Sequence, residues 1–342
     1  MPSENVKKNT SLILIGPATS FMGSLLNLGS MPLVYKIGSE SFTEIDKKRF
    51  GLMLLRGFGF CMLWSPYFVN VGLVMVLYDL SWQQIGGAGI MAAVLYSMVV
   101  AVFFRFTYFK KDTTISNEEK TSKNYYSFRS DLRKLGLYVI LLILLSFSLD
   151  VVLNVSMLTI VSVLALIYPF IWAAGLRLFQ DYIIYMKQQV HSSFTRLYNE
   201  LAIFITAGFF GKALSISEAG DWLSQIIYIL AGETVFWLIL LLIGFAMLFA
   251  FLGVHPVIII IGLGSSLTPE QFNVSPAFMG MLMLAAWSLA TQISPFSGSV
   301  LLASNLINIS PWKLVQKNAV FIFTVMMMFT MYLSLLHYLD LL

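Results

Sequence analysis

Apolar residues fall in long blocks separated by short polar clusters. Leu12–Leu33, Gly89–Phe104, Ile140–Ala174 and Phe236–Leu252 are such blocks. They approach or exceed the roughly 20 residues that a helix needs to cross a bilayer. The pattern predicts a hairpin over about 11–36, a broken helix over about 48–80, and a helix over 83–109. A polar loop, 110–133, follows. Helices over about 134–149 and 151–175 come next, then a surface segment, 177–197, and a helix over 199–217. A second hairpin, about 232–267, a second broken helix, about 276–309, and a helix over 314–339 complete the order. The surface segment interleaves Leu178, Tyr182, Tyr185, Met186 and Val190 with Gln180, Lys187, Gln188 and Arg196, which suits an amphipathic helix in the membrane interface.

One block occurs twice. Gly51–Ser81 reads GLMLLRGFGFCMLWSPYFVNVGLVMVLYDLS, and Gly280–Ser310 reads GMLMLAAWSLATQISPFSGSVLLASNLINIS. At an offset of 229 positions without a gap they match at Gly51/Gly280, Leu55/Leu284, Ser65/Ser294, Pro66/Pro295, Val71/Val300, Leu73/Leu302, Leu77/Leu306 and Ser81/Ser310. Each is an apolar helix interrupted by Ser-Pro. Interrupted apolar segments at matching places in two halves point to the binding site of a secondary transporter. The hairpins correspond as well: Leu28-Gly29-Ser30-Met31-Pro32 resembles Leu252-Gly253-Val254-His255-Pro256. Backbone without helical hydrogen bonds is tolerated at membrane depth only where it is buried in protein or lines a wet cavity.

Composition fixes the class. The 342 residues are 58% hydrophobic and 11% charged, with a mean hydropathy of +0.82. Soluble domains average about 25% charged residues. The fold class is an all-α polytopic membrane protein, with an inverted-topology repeat, two re-entrant hairpins and two broken transmembrane helices. With the N-terminus inside, every Lys and Arg except Arg56, Arg105 and Lys212 falls on the inner side, as cytoplasmic loops require. Asp79, Asp150, Glu218, Asp221, Glu270 and Asp340 fall in outer turns. The chain divides into a first, incomplete repeat (1–109), a cytoplasmic linker (110–133), and a second repeat (134–342) with scaffold helices, interfacial helix, hairpin and broken helix. The second repeat has three extra crossings, and 134 − 229 places their counterparts from about −95. A missing N-terminal part, carrying the first repeat's scaffold helices, is therefore expected.

Other classes are excluded or left without support. A net charge of +4 gives no reason to expect nucleic-acid binding, because the basic residues sit in loops that the membrane explains. The single cysteine, Cys61, rules out an internal disulfide and a cysteine metal cluster. No HExxH, GxSxG or P-loop occurs, so no enzyme is expected.

The candidate chemistry lies in the interruptions. A half-helix presents unpaired N–H groups and a positive dipole end, which suit an anion. Unwound carbonyls and hydroxyls can coordinate a cation. The first break offers Ser65, Pro66, Tyr67 and Asn70. The second offers Thr291, Ser294, Pro295, Ser297, Gly298 and Ser299, and the hairpin tips offer Ser30, Gly253 and His255. The competing reading is that Ser-Pro merely kinks a membrane helix. Arg56, about two turns into the first broken helix, is either an anion contact or a snorkelling or structural cation. His255 is either a coupling-proton carrier or a hydrogen-bonded tip residue. No cofactor or bound metal is expected beyond a coupling ion, Na⁺ or H⁺.

The order of extra helices, surface helix, hairpin and broken helix resembles the ion transporter superfamily. That superfamily contains the divalent anion/sodium symporters, citrate transporters, TRAP large subunits, and arsenite and sodium/proton antiporter branches. Asn199-Glu200-Leu201-Ala202-Ile203-Phe204, followed by Gly208-Phe209-Phe210-Gly211-Lys212-Ala213-Leu214, is similar to the segment that opens their second transport unit. Ser294-Pro295-Phe296-Ser297-Gly298-Ser299 stands where they break a helix. The divalent anion symporters carry Ser-Asn-Thr at each hairpin tip. Here the tips read Leu28-Gly29-Ser30 and Gly253-Val254-His255, so sodium coupling does not carry over residue by residue. The resemblance implies an ion-coupled secondary active carrier working by elevator-type alternating access. A small organic anion, a carboxylate, is the expected solute. The alternatives are a non-transporting or degenerate membrane subunit, or an inorganic anion carrier or cation/proton antiporter of the same superfamily. Expected partners are the lipid bilayer, the anionic solute and a second copy of the chain in a homodimer, in a bacterial cytoplasmic membrane.

Overall fold

The computed structural model describes residues 20, 22–24, 27–39, 44–106, 140–153, 155, 157–232 and 234–342, and among them no strand occurs. A 3₁₀ turn, Asn27–Gly29, leads into α1 (Ser30–Ser39), followed by α2 (Glu44–Cys61), α3 (Val69–Leu77) and α4 (Trp82–Phe106). The helix Ile140–Val152, α5, precedes α6 (Met157–Gly175) and α7 (Phe179–Ser215). Then come α8 (Glu218–Ala231), α9 (Val235–Phe251), α10 (Pro256–Ser266), α11 (Pro276–Ile293), α12 (Gly298–Ile307) and α13 (Pro311–Tyr338).

Local chemistry sets these limits. Proline opens α10, α11 and α13, where its missing N–H costs nothing, and His255, Ser275 and Ser310 cap the same helices. Pro32 falls in the first turn of α1 and is tolerated for the same reason. Gly232 and Asn308 end α8 and α12 in the left-handed conformation.

The second hairpin and both broken helices follow the pattern of apolar blocks, and two other elements differ from it. The predicted surface segment 177–197 and helix 199–217 are one continuous helix, α7, of 37 residues. No Gly or Pro occurs between Phe179 and Ala207, so nothing in the sequence breaks it. Residues 218–221, expected in an outer turn, open a further helix, α8, bent by 79° from the end of α7. Glu218 and Asp221 lie in its first turn, where acidic groups complement the helix dipole. The linker 110–133 and the hairpin residues 11–19 lie outside the described residues.

The chain forms two compact units. One is Lys111–Leu201, in which Phe170 packs against Phe179 and Tyr182 at 6.3 and 5.1 Å between ring centroids. The other joins the chain up to Lys110 with Ala202–Leu342, so both hairpins and both broken helices belong to one body. At its centre is α11, in which every residue from Phe278 to Ile293 is buried. Helices α9, α13, α2, α3, α4, α10 and α12 pack around it. On the outside, α4 exposes Met91, Val94, Met98 and Val102, and α13 exposes Val320, Phe323, Met327 and Met331. Apolar stripes turned outward suit lipid, not water. Trp82–Phe104, Pro276–Ile307 and Pro311–Tyr338 are each long and apolar enough to cross a membrane. The molecule is an all-α polytopic membrane protein.

Candidate functional site

The two broken helices cross at equivalent positions of the repeat. Ser288 Oγ donates to the carbonyl of Gly59 at 3.1 Å across a sequence separation of 229. Packing away from this point is reciprocal. A Cβ at Gly51 would collide with Ile307, and one at the matching Gly280 would lie 2.7 Å from Leu80. Thus α2 lies along α12, and α11 lies along α3. The hairpins follow the same exchange: α1 packs on α12, and α10 packs on α3. Each repeat therefore supports the far half of the other's broken helix. The two helices run antiparallel through the crossing, which sets the breaks on opposite flanks of it.

Both breaks have the same internal geometry. Ser65 N–H donates to Cys61 O, and Ser294 N–H to Ala290 O, each at 3.2 Å. The proline that follows has no N–H to continue the helix. Ser65 Oγ then accepts from Tyr67 N–H, and Ser294 Oγ from Phe296 N–H, each at 3.3 Å. Phe68 N–H and Ser297 N–H close each turn onto the carbonyl of its serine at 3.1 and 3.3 Å. The serine side chain thus stands in for the helical bonds that proline removes.

Beyond the turns the breaks differ. Ser297 caps α12 by accepting from Val300 N–H at 3.3 Å, whereas Phe68, at the start of α3, has no capping side chain. Ser297 Oγ also lies 3.4 Å from Ser299 Oγ. In the first break Asn70, the counterpart of Ser299, reaches back to donate to Met62 O at 2.7 Å, and Ser65 Oγ donates to Ser24 O at 2.6 Å. Ser65, Asn70, Ser294, Ser297 and Ser299 are all at most 4% exposed, and Pro66 and Pro295 are buried beside them. Asn70 Oδ1 and Thr291 Oγ1 are buried polar atoms without a hydrogen-bond partner.

The second break receives both hairpin tips. Leu28 of the first tip faces Gly298, where a Cβ would lie 3.6 Å from Leu28 Cδ1. Gly253 of the second faces the Phe296 ring, 3.5 Å from the position of a Cβ, and its φ of 102° requires glycine. Ser30 is buried and holds its own turn through Asn27 O at 2.7 Å. His255 is exposed and caps α10, its Nδ1 accepting from Val257 N–H at 3.3 Å. That bond needs Nδ1 without a proton.

Arg56 is 1% exposed, so it does not reach an interface. Its Nε donates to Asn318 Oδ1 on α13 at 2.9 Å, and its guanidinium lies over Phe321 and Phe103 at 4.5 and 5.8 Å. Its carbonyl accepts from Tyr96 Oη, which lies at 2.9 Å from both that oxygen and Gln292 Oε1. The network ties Arg56 to the second break, because Gln292 precedes Ser294 by two residues. Gln292, Ser288, Asn318 and Tyr96 were not singled out by the sequence pattern. Each is a polar residue in an apolar run, and that was the signal available. Among the described residues no cluster of His, Cys, Asp and Glu could hold a metal ion.

Paired broken helices that pack reciprocally across one crossing are a feature of secondary transporters. Residues 61–338 match the sequence profile of the tripartite ATP-independent periplasmic transporter, DctM component, and the chain belongs to this family. It is a secondary transporter of small solutes, in a family of transporters, not of enzymes. No curated protein matches the chain.

Proposed function

We propose that the chain is an ion-coupled carrier of a small organic anion, a carboxylate, bound at the second break. The observation that carries this reading is the start of α12, where main-chain N–H groups and the buried hydroxyls of Ser294, Ser297 and Ser299 share one turn. Such an end favours a negative ligand through aligned donors and the helix dipole. Coupling to a cation is supported by Asn70 Oδ1 and Thr291 Oγ1, buried acceptors beside unwound carbonyls. An elevator movement is supported by the single compact unit that carries both breaks. The family name brings two further components as partners and a periplasm, hence a bacterial cytoplasmic membrane.

The test is reconstitution of the full chain with its partner components in proteoliposomes. Uptake of a panel of labelled carboxylates is measured with and without sodium and proton gradients. Ser294→Ala and Ser299→Ala each remove a hydroxyl ligand. A hydrogen bond to a charged group is worth roughly 1.5–3 kcal/mol, which lowers affinity on the order of 10- to 100-fold. If Ser65, Ser294, Ser297 and Ser299 can all be replaced by Ala without changing transport, the breaks are kinks and the reading is wrong.

A further inference from the structure

Three aromatic rings meet at the second break. Trp312, in the first turn of α13, meets Phe251, the last residue of α9, edge-on at 5.4 Å. It meets Phe296, inside the break, edge-on at 5.9 Å. One indole therefore joins the hairpin, the break and the last helix. The rings are on the outside of the assembly: Phe251, Trp312 and Phe296 are 38%, 47% and 55% exposed. In the same break as Phe296, Ser294, Ser297 and Ser299 are 2%, 4% and 1% exposed. Gly253 of the hairpin turn faces the Phe296 ring at van der Waals distance, and its φ of 102° favours glycine there.

We propose that Trp312 is a latch that keeps the second hairpin tip closed over the second break. Solute access to Ser297 and Ser299 then requires Trp312 to leave Phe251, Phe296 or both. Edge-to-face ring pairs are individually weak, so two of them favour the closed state without fixing it. At the first break, Ser65 Oγ donates to Ser24 O of the first hairpin. The latch acts on the second break, because the two rings that Trp312 meets belong to the second hairpin and to that break. The inference rests on reading the second break as the solute site, but its test does not use solute.

The test measures thiol accessibility in the full chain, purified in detergent, in a Cys61→Ala background. Ser297→Cys supplies a reporter in the second break, and Ser65→Cys, in a separate protein, supplies one in the first. The probe is a small methanethiosulfonate reagent. Trp312→Ala should speed modification at position 297 on the order of tenfold, the effect of losing two ring pairs. Trp312→Phe should keep most of the protection. Phe251→Ala, which leaves α13 untouched, should also speed modification and serves if Trp312→Ala does not fold. Position 65 should react at the same rate in every background. Unchanged modification at position 297 in the alanine variants would overturn the latch. So would equal acceleration at position 65, which would mean general loosening. Loss of carboxylate binding on Ser→Ala replacement is a separate result, so failure of either idea leaves the other standing or falling by itself.

Discussion

Gly59 and Ser288 are the same residue position in two copies of one repeat, and they touch. The contact, Ser288 Oγ to Gly59 O at 3.1 Å, marks where a pseudo-two-fold axis passes through the protein. Only a position on such an axis meets its own equivalent. The inverted repeat is thus a packing relationship as well as a likeness of sequence.

The crossing depends on the missing side chain at Gly59. A Cβ there would collide with the Gln292 amide and lie 2.6 Å from Tyr96 Oη. All of these groups are buried. Gly59→Ala should therefore destabilise the protein by about 1–3 kcal/mol, as over-packed cores do. Gly87→Ala, on α4 with nothing within 4 Å of the new methyl, is the control. It should be neutral or stabilise by up to about 1 kcal/mol through helix propensity. Thermal unfolding of the two purified variants checks the pair, and equal midpoints would refute the crossing.

Ser297 has two roles that can be separated. It caps α12 through Val300 N–H, and it contributes a hydroxyl to the proposed solute site. Loss of an N-cap to Ala costs about 1 kcal/mol. Ser297→Asp keeps a capping oxygen but adds a negative charge. Ser297→Ala should lower the unfolding midpoint, and Ser297→Asp should largely retain it while abolishing anion uptake. Retention of uptake by Ser297→Asp would remove the anion from this turn.

Much of the architecture was legible because breaks and turns are local. Ser65-Pro66 and Ser294-Pro295 stop helices through proline's missing N–H, whatever surrounds them. Gly253 and Pro256 mark a turn and a helix start by their own conformational limits. The boundary between 197 and 199 was misread because a change from mixed to apolar composition alters what a helix faces, not whether it continues. Helix α8 was missed because Glu218 and Asp221 read as loop charges, though they suit a helix N-terminus equally well. The buried polar network around the candidate site was less legible. Ser294, Ser297 and Ser299 stand out as candidates by clustering in the sequence, whereas Gln292, Asn318 and Tyr96 have partners far away in sequence. No local pattern reveals such a contact.

The orientation of the two halves can be measured directly. In a Cys61→Ala background, Glu118→Cys should react with impermeant maleimide only from the inner side, and Glu270→Cys only from the outer side. The basis is the topology expected from the sequence, which puts nearly all Lys and Arg on one side. Labelling of both positions from the same side would refute the inverted arrangement.

Arg56 offers the sharpest choice between structure and solute binding. The structure encloses its side chain with Asn318, Phe321 and Phe103, which makes it a tie between α2, α4 and α13. Asn318→Leu removes a bond to a charged group and should cost roughly 1.5–3 kcal/mol. Arg56→Met leaves the Asn318 acceptor buried without this donor and should cost about 1–3 kcal/mol from that source alone. The double variant removes both polar ends together. Its cost should fall short of the sum of the single costs by about 0.5–3 kcal/mol, as contacting residues do. Detergent-denaturant titration of the four proteins measures the cycle. An anion contact predicts a different result: Arg56→Met would lose uptake with its stability intact, and Asn318→Leu would not couple to it. A coupling energy near zero together with lost uptake would therefore move Arg56 from the framework to the solute site.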